Sequence, residues 1–256
     1  MMHLTPVTVL SAAAEESAGQ PVVLWNLVLY LTQKLGLGDG SAGRYALIIG
    51  GALLSVVLSY LIGSVSPAIL LSTRKYGKDV RTGEERIAEA TAMRTMFGWK
   101  PALLTLLCDA VKTAAAIGLG VLLFGVDGGA LAGFFVVFGH LFPVYHRFQG
   151  GNGLVCLFAA ALCINPLTFA ILVGIFLIVL IGTRFLSLAT VMTAMLYPLI
   201  LRAFTDSSAG LTVAMAVLTM VFVIIRHKDN LSRIWNGREP KIRLPGRRNQ
   251  DKEDPK

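Results

Sequence analysis

The stretch "LVCLFAAALCINPLTFAILVGIFLIVLIG", residues 154–182, decides the fold because it crosses a membrane either once or twice. As one helix at about 1.5 Å per residue it would reach about 43 Å, too long for one upright crossing of a hydrocarbon core of about 30 Å. Asn165 and Pro166 stand in its middle, and proline lacks a backbone N–H and restricts the residue before it. The sequence therefore predicts a break and two segments, of which the first, near 154–166, is short and either tilted or re-entrant.

The rest of the chain has the composition of a membrane protein. Of its 256 residues 55% are hydrophobic and 15% are charged, whereas soluble domains carry about 25% charged residues. Residues 21–32 are too short to cross and are predicted to form an interfacial amphipathic helix. With two segments from 154–182, the sequence predicts an all-α, polytopic integral membrane protein of about seven transmembrane helices, the other five at 46–72, 101–124, 129–145, 186–203 and 209–225.

Charge favours seven spans over six. Residues 74–100 carry seven Lys and Arg, and residues 226–256 carry ten against five acids. Because basic segments prefer the cytoplasm, seven spans place both segments, the loops at 146–153 and 183–185 and the C-terminus inside, with the N-terminus outside. The predicted plan is an N-terminal segment 1–44, a transmembrane domain 45–226 and a basic tail 227–256. Basic residues confined to short segments between apolar runs do not indicate a nucleic-acid partner.

One cytoplasmic loop has almost no side chains. The stretch "HRFQGGNGLVC", residues 146–156, places Gly150, Gly151 and Gly153 around Asn152. Glycine clusters let backbone amides approach a ligand closely, and anionic oxygens are the usual ligand. The loop is therefore predicted to hold a phosphate beside the two basic segments.

Several polar residues lie within or at the ends of the predicted spans. Asp109 and Lys112 are three apart, on one face of a helix, and form either a mutual salt bridge or part of a functional site. His140 lies in an apolar segment, and Arg184 in a short cytoplasmic turn. His227 and Asn230 would point the same way on a helix after the last span, in a basic array that is otherwise typical of a solvated membrane anchor.

No familiar cofactor or catalytic motif is present. Cys108, Cys156 and Cys163 lie in apolar surroundings without a histidine at ligand spacing, so neither a disulfide nor a metal site is predicted from them. No Walker loop, HEXXH or Ser/His/Asp order occurs. The residues alone indicate a membrane protein with a basic, phosphate-binding cytoplasmic face.

Five segments together carry a family resemblance: "SYLIGSVSPAILLSTRKYGKDVR" (59–81), "CDAVKTAAA" (108–116), "GHLFPVYHRFQGGNGL" (139–154), "TRFLSLAT" (183–190) and "IIRHKDNLSRIWNGREPKI" (224–242). In this order they resemble the bacterial acyl-phosphate:glycerol-3-phosphate acyltransferases, the PlsY family, from about residue 48 to 242. The resemblance implies a multi-pass protein of the bacterial plasma membrane that acts in phospholipid biosynthesis.

The resemblance also implies a reaction and its residues. A hydroxyl of glycerol 3-phosphate attacks the carbonyl of an acyl phosphate, giving lysophosphatidate and inorganic phosphate without a protein nucleophile, by positioning and charge stabilisation. The implied partners are these two substrates and membrane lipid, with no cofactor and no metal; the oligomeric state stays open. The implied catalytic residues are His227, Asn230 and Arg94, and the implied phosphate-binding residues are Gly150, Gly151, Asn152, Gly153, Lys112, Arg184, Ser187 and His140.

The chain departs from the family pattern at the implied phosphate site. The family carries Gly-Ser-Gly-Asn-x-Gly-Ala-Thr-Asn-x-x-Arg where this chain reads "GEERIAEATAMR", residues 83–94. Glu84 replaces the serine, Arg86 and Thr91 replace the two asparagines, and Asn152 replaces the lysine of the glycine loop. A hydroxyl has become a carboxylate, and a cation has become neutral.

Three functional hypotheses follow from these observations. The first is an acyltransferase of phospholipid synthesis, favoured by the terminal array and the glycine loop. The second is a catalytically silent relative that binds a lipid phosphate or regulates a membrane partner, favoured by the departures. The third is a small-molecule transporter, suggested by Asp109 and Lys112 within a span.

Overall fold

The computed structural model describes residues 26–38, 40–83, 87–206 and 209–241, and in those ranges every regular element is a helix. Two 3-10 helices, Val80–Thr82 and Val144–His146, lie in connections. The all-α class predicted from the sequence is confirmed. The α-helices are α1 Leu27–Lys34, α2 Ala42–Ser64, α3 Pro67–Tyr76, α4 Ala90–Phe97, α5 Trp99–Leu141, α6 Leu154–Ile164, α7 Pro166–Thr183, α8 Leu186–Ala203, α9 Gly210–Arg226 and α10 Lys228–Trp235.

The break within 154–182 lies where the sequence predicts it. Asn165 is extended, and its side chain accepts a hydrogen bond of 3.0 Å from the backbone N–H of Thr168, which caps α7. The same side chain donates to the carbonyl of Phe204 at the end of α8, at 2.9 Å. The 11 residues of α6 rise only about 16 Å, so α6 is too short to cross by itself.

Asn165→Ala is expected to lower the free energy of unfolding by about 1–2 kcal/mol, because it removes a helix cap and a buried hydrogen bond. Thermal unfolding in detergent would measure the loss. Leu167→Ala, which trims an exposed apolar side chain two residues away, is the matched control. Equal melting temperatures for both variants would contradict this role of Asn165.

Helix α5 doubles back on itself, although it runs from Trp99 to Leu141. The backbone leaves the helical region at Phe124 (φ −139°) and Gly125 (φ +66°), which separates a first arm, 99–123, from a second arm, 126–141. The arms pack closely, since a Cβ on Gly120 would lie 2.4 Å from the carbonyl oxygen of Gly128. The arms correspond to the two apolar runs at 101–124 and 129–145, except that the second arm ends at Leu141; that each arm is a separate span stays a prediction.

The predicted span 46–72 is not one helix. Helix α2 ends at Ser64, and α3 begins at Pro67 with the Ser66 hydroxyl accepting the N–H of Ile69 at 3.4 Å. Proline cannot donate to the preceding turn, which is why the helix breaks here. Small residues before the break allow close packing, since a Cβ on Gly63 would lie 2.3 Å from the carbonyl oxygen of Val136 in α5.

Within the described ranges, four helical units are long and apolar enough to cross a membrane, and a fifth is added if α9 and α10, bent by 55°, count as one span. One of the four contains both arms of α5, and α6 falls below the length limit. The number of seven spans therefore stays a prediction.

Helix α1 packs on α2, where a Cβ on Gly51 would lie 2.3 Å from Val28. Residues 21–25 of the predicted interfacial helix lie outside the described ranges.

Two hydrophobic clusters hold together the helices that carry the polar residues. The larger one joins α5 to α9 and includes Val137, Leu157 and Leu201. The smaller one lies beneath the connection between α3 and α5, and packs Val80 and Met93 against Ala68. This second cluster holds the start of α4 against the helices that carry the site.

Candidate functional site

Buried polar side chains of the two arms of α5 meet at one end of the bundle. The Lys112 ammonium lies 2.7 Å from Asp109 Oδ1 and 3.1 Å from His140 Nδ1. It also donates to the carbonyls of Gly63, at 3.1 Å, and Val65, at 2.7 Å, where α2 ends. The salt bridge foreseen for Asp109 and Lys112 is confirmed, and it ties α2 to both arms of α5.

The glycine loop lies beside this cluster and is recessed. Residues 99–108 of α5 extend about 15 Å beyond Asp109, and α4 packs along α5. All four loop residues, Gly150 to Gly153, are buried. The loop leads directly into the start of the short helix α6, with Gly153 as the residue before it.

The loop needs glycine because it presses on His140 and its helix. A Cβ on Gly150 would lie 2.0 Å from the carbonyl oxygen of His140, and a Cβ on Gly151 would lie 2.4 Å from Nε2 of the same residue. Gly153 has φ +85°, in the left-handed region that favours glycine. The Gly151 N–H donates to the His140 carbonyl at 3.2 Å.

Arg226, at the end of α9, clamps the loop from the other side. Its Nε donates to the Gly151 carbonyl and its Nη2 to the Gly150 carbonyl, each at 3.0 Å. Glu89, the residue before α4, accepts the N–H of Asn152. Two of the loop amides predicted to cradle phosphate, those of Gly151 and Asn152, are thus already bonded within the protein.

The terminal array, which consists of Asn230, Arg233 and Glu239, contacts the start of α8. The Ser187 hydroxyl donates to Glu239 Oε1, and Asn230 Nδ2 donates to Ser187 Oγ at 3.1 Å and to Glu239 Oε1 at 3.3 Å. Arg233 Nε lies 2.7 Å from Glu239 Oε2, whose side chain is only 6% exposed. A merely solvated anchor would not bury this network, so the array is an organised part of the fold.

In the chain, His227 lies between Arg226, which binds the glycine loop, and the terminal array. Its side chain is fully buried, and Nδ1 lies 2.8 Å from the carbonyl oxygen of Val223. Since a carbonyl only accepts, Nδ1 carries the proton, and Nε2 of the neutral ring is an acceptor. Nε2 is buried and has no hydrogen-bond partner among the described residues. A substrate hydroxyl, which has a proton to donate, matches this acceptor, whereas a dianionic phosphate does not.

The remaining predicted residues are less closely joined to the site. Arg94 is exposed on α4, with its guanidinium 3.8 Å from the centre of the Trp99 ring. Arg184 is half-buried and closes α7 with φ +61°, without a side-chain partner among the described residues. The Thr91 hydroxyl lies 3.5 Å from Glu89 Oε2. Glu84 and Arg86 lie outside the described ranges.

Three residues of the site were not singled out from the sequence. Glu89 aligns with an alanine of the family pattern, and Arg226 is the last residue of the predicted transmembrane domain 45–226. Arg81 donates to the His146 carbonyl at 3.1 Å, joining the α3–α5 connection to the segment before the glycine loop, and its guanidinium lowers the pKa of Asp79. An unexpected acid within "GEERIAEATAMR" was the one available signal for Glu89.

Cys156 is closer to His140 than sequence spacing indicates. Ligand atoms of Asp109, His140 and Cys156 all lie within 4.8 Å of one another. The Lys112 ammonium is already bonded to two of the three, so a cation of the protein itself balances Asp109 there. We assign no metal to this group.

Comparison with known proteins connects this site to a family. The family model for glycerol-3-phosphate acyltransferase matches residues 53–237. Among curated proteins, a glycerol-3-phosphate acyltransferase of Geobacillus kaustophilus is 34% identical over 196 residues, covering 76% of this chain and 98% of the relative. A glycerol-3-phosphate acyltransferase of Bacillus subtilis is 34% identical over 191 residues, covering 74% and 97%.

Solved structures agree with the sequence comparison. The crystal structure of PlsY, an integral membrane glycerol 3-phosphate acyltransferase, in its glycerol 3-phosphate form has a TM-score of 0.68 and 26% identity, covering 75% of this chain and 95% of that one. Its lysophosphatidic acid form has a TM-score of 0.65 and 25% identity, covering 74% and 94%. The buried glycine loop, the terminal array and these matches together place the chain in the glycerol-3-phosphate acyltransferase family, as an all-helical integral membrane protein.

Proposed function

We propose that this protein transfers an acyl group from an acyl phosphate to glycerol 3-phosphate, giving lysophosphatidate and inorganic phosphate. The observation that carries the proposal is that Arg226, four residues before Asn230 of the terminal array, bonds to two carbonyls of the glycine loop and so holds the two parts together. The solved relatives are described in glycerol 3-phosphate and lysophosphatidic acid forms, which fit an acceptor and a product.

The residues support a reaction without a protein nucleophile. The acceptor oxygen bonds to the acyl carbon, the bond from that carbon to the phosphate oxygen breaks, and the hydroxyl proton, first held at His227 Nε2, ends on the leaving phosphate. His227 Nε2, unpartnered among the described residues, accepts the hydroxyl hydrogen bond and orients the attacking oxygen. Asn230 is held by Ser187 and Glu239, so its amide orients the same end of the acceptor.

The phosphates require cations and donors around this centre. Lys112 and His140 lie at the glycine loop, Arg184 and Ser187 lie at the start of α8, and Arg94 is exposed on α4 beside the Trp99 ring. Arginine suits phosphate because its planar guanidinium donates two parallel hydrogen bonds. We assign catalysis to His227, Asn230 and Arg94, and phosphate binding to Lys112, His140, Arg184, Ser187, Gly150, Gly151, Asn152 and Gly153.

Phosphate release by the purified full-length protein tests this function. Acyl phosphates of several chain lengths are supplied with glycerol 3-phosphate, with glycerol, or with no acceptor. Release that depends on glycerol 3-phosphate is expected. Equal release without an acceptor would indicate simple hydrolysis, and thermal stabilisation by acyl phosphate without product would favour the catalytically silent alternative, which the neutral Asn152 supports.

We further infer that the protein is a multi-pass protein of the bacterial plasma membrane, with both the site and the C-terminus on the cytoplasmic side. The support is the excess of basic residues after α9 and between α3 and α5. A fluorescent-protein fusion at the C-terminus is expected to fluoresce. An active periplasmic reporter at the same position would contradict this orientation.

Gly151→Ala is expected to lower kcat/KM by about 100-fold, because the new Cβ would lie 2.4 Å from His140 Nε2 and displace the loop. Gly174→Ala on α7, where a Cβ meets nothing within 4 Å, is the matched control and should keep full activity. Phosphate-release kinetics measure both. Full activity of Gly151→Ala would remove the glycine loop from the proposed site.

A further inference from the structure

A carboxylate of the protein occupies the glycine loop. Glu89 is 8% exposed, and its Oε1 accepts the backbone N–H of Asn152. A Cβ on Gly151 would lie 2.8 Å from Glu89 Cγ, so the side chain lies directly against the loop. Anions bind glycine loops through backbone amides, and here an anion of the chain itself has taken one of them.

The charged groups around Glu89 do not neutralise it by direct contact. On α5 it faces His140 and, behind that residue, Asp109 with Lys112. On α9 it faces Arg226, whose guanidinium is bonded to two loop carbonyls. From α6, Cys156 lies beside His140. Among the described residues, no Lys, Arg or His lies within 4.0 Å of the Glu89 carboxylate.

A dianionic phosphate entering this loop would therefore meet a second anion whenever Glu89 is ionised. Two anions side by side repel, whereas a protonated carboxyl donates a hydrogen bond to a phosphate oxygen. We propose that Glu89 couples phosphate binding at the glycine loop to the uptake of one proton, and so is the residue that determines which charge states the loop accepts. This inference rests on the proposed function only in taking a phosphate as the ligand of the loop.

The environment favours the protonated form. Burial raises the pKa of Glu89, although His140 and the Asn152 amide act against that shift. The neutral carboxyl therefore persists to higher pH than that of an exposed glutamate. As the pH rises through this raised pKa the anion forms, so phosphate affinity is expected to fall with increasing pH.

Calorimetry of anion binding to the full-length protein in detergent tests the coupling. Sulfate is the probe for pH dependence, because its charge stays constant from about pH 5.5 to about pH 8.5, and glycerol 3-phosphate is the substrate probe. Above the pKa of Glu89, the affinity of the unaltered protein is expected to fall about tenfold per pH unit relative to Glu89→Gln. Asp127→Asn, which removes an exposed carboxylate beside the turn of α5, is the matched control and should keep the wild-type profile.

A second measurement needs no variant. Binding heats in two buffers of different ionisation enthalpy are expected to show uptake of about one proton per anion bound above that pKa. Glu89→Ala provides a second test if Glu89→Gln does not fold. The proposal is overturned if the wild type and either folded variant show the same pH dependence, or if binding takes up no proton.

These outcomes are separable from failure of the proposed function. Proton-coupled binding without acyl transfer would leave the role of Glu89 standing and contradict only the enzyme. Acyl transfer with proton-independent binding would support the enzyme activity and contradict the role of Glu89.

Discussion

His227→Ala is expected to lower kcat by about 10² to 10⁴-fold, the range typical of removing a group that transfers or holds a proton at the reacting centre. The reason is the geometry of the ring. Its Nδ1 proton is committed to the Val223 carbonyl, which leaves Nε2 as an acceptor, buried and without a partner among the described residues. No neighbouring described side chain replaces that acceptor at the same position.

The loss is measured by phosphate release, with thermal unfolding beside it because the ring is fully buried. His227→Gln keeps more of the volume and should be equally inactive. Ser232→Ala, an exposed change on α10, should keep full activity. A folded His227→Ala variant with wild-type turnover would remove this residue from the catalytic set.

Lys112→Met is expected to lower the free energy of unfolding by about 3–5 kcal/mol and to abolish turnover. Its side chain is 9% exposed and its ammonium lies 2.7 Å from Asp109 Oδ1, so its removal leaves a buried carboxylate without that partner. It also ends the contacts with the Gly63 and Val65 carbonyls that hold α2 to α5. Thermal unfolding and phosphate release measure the two effects.

The double variant Lys112→Met with Asp109→Leu separates stability from catalysis. Replacing both members of a buried ion pair with apolar residues is often neutral or stabilising. The double variant is therefore expected to regain most of the lost stability and to remain inactive, because the cation at the glycine loop is missing. Recovery of activity together with stability would show that Lys112 acts only as a structural partner of Asp109.

The helical organisation was predictable because its signals are local. Asn165 and Pro166 interrupt an apolar run that is too long for one crossing, and Asn165 caps α7 in the structure. The turn between the arms of α5 was foreseen from the gap between two apolar runs. The break at Ser66–Pro67 was missed, although serine followed by proline is a helix-start signal, because apolar residues continue on both sides.

The arrangement of the site was only partly predictable. Residues three apart on one helix, such as Asp109 and Lys112, could be paired from spacing alone. The contacts of Arg226 with Gly150 and Gly151, 76 and 75 residues away, could not be predicted, because they depend on how α9 packs beside the loop. Glu89 was hidden for the same reason, since its partner Asn152 lies 63 residues further along the chain.

The central claim is that the glycine loop and the terminal array form one acyl-transfer centre. Its most direct test is to quantify lysophosphatidate made from acyl phosphate and glycerol 3-phosphate by the full-length protein in lipid vesicles, beside His227→Ala and Gly151→Ala. We expect one lysophosphatidate for each phosphate released by the wild type, and almost none from either variant. If no chain length of donor gives lysophosphatidate, or if both folded variants make it as fast as the wild type, the claim is contradicted.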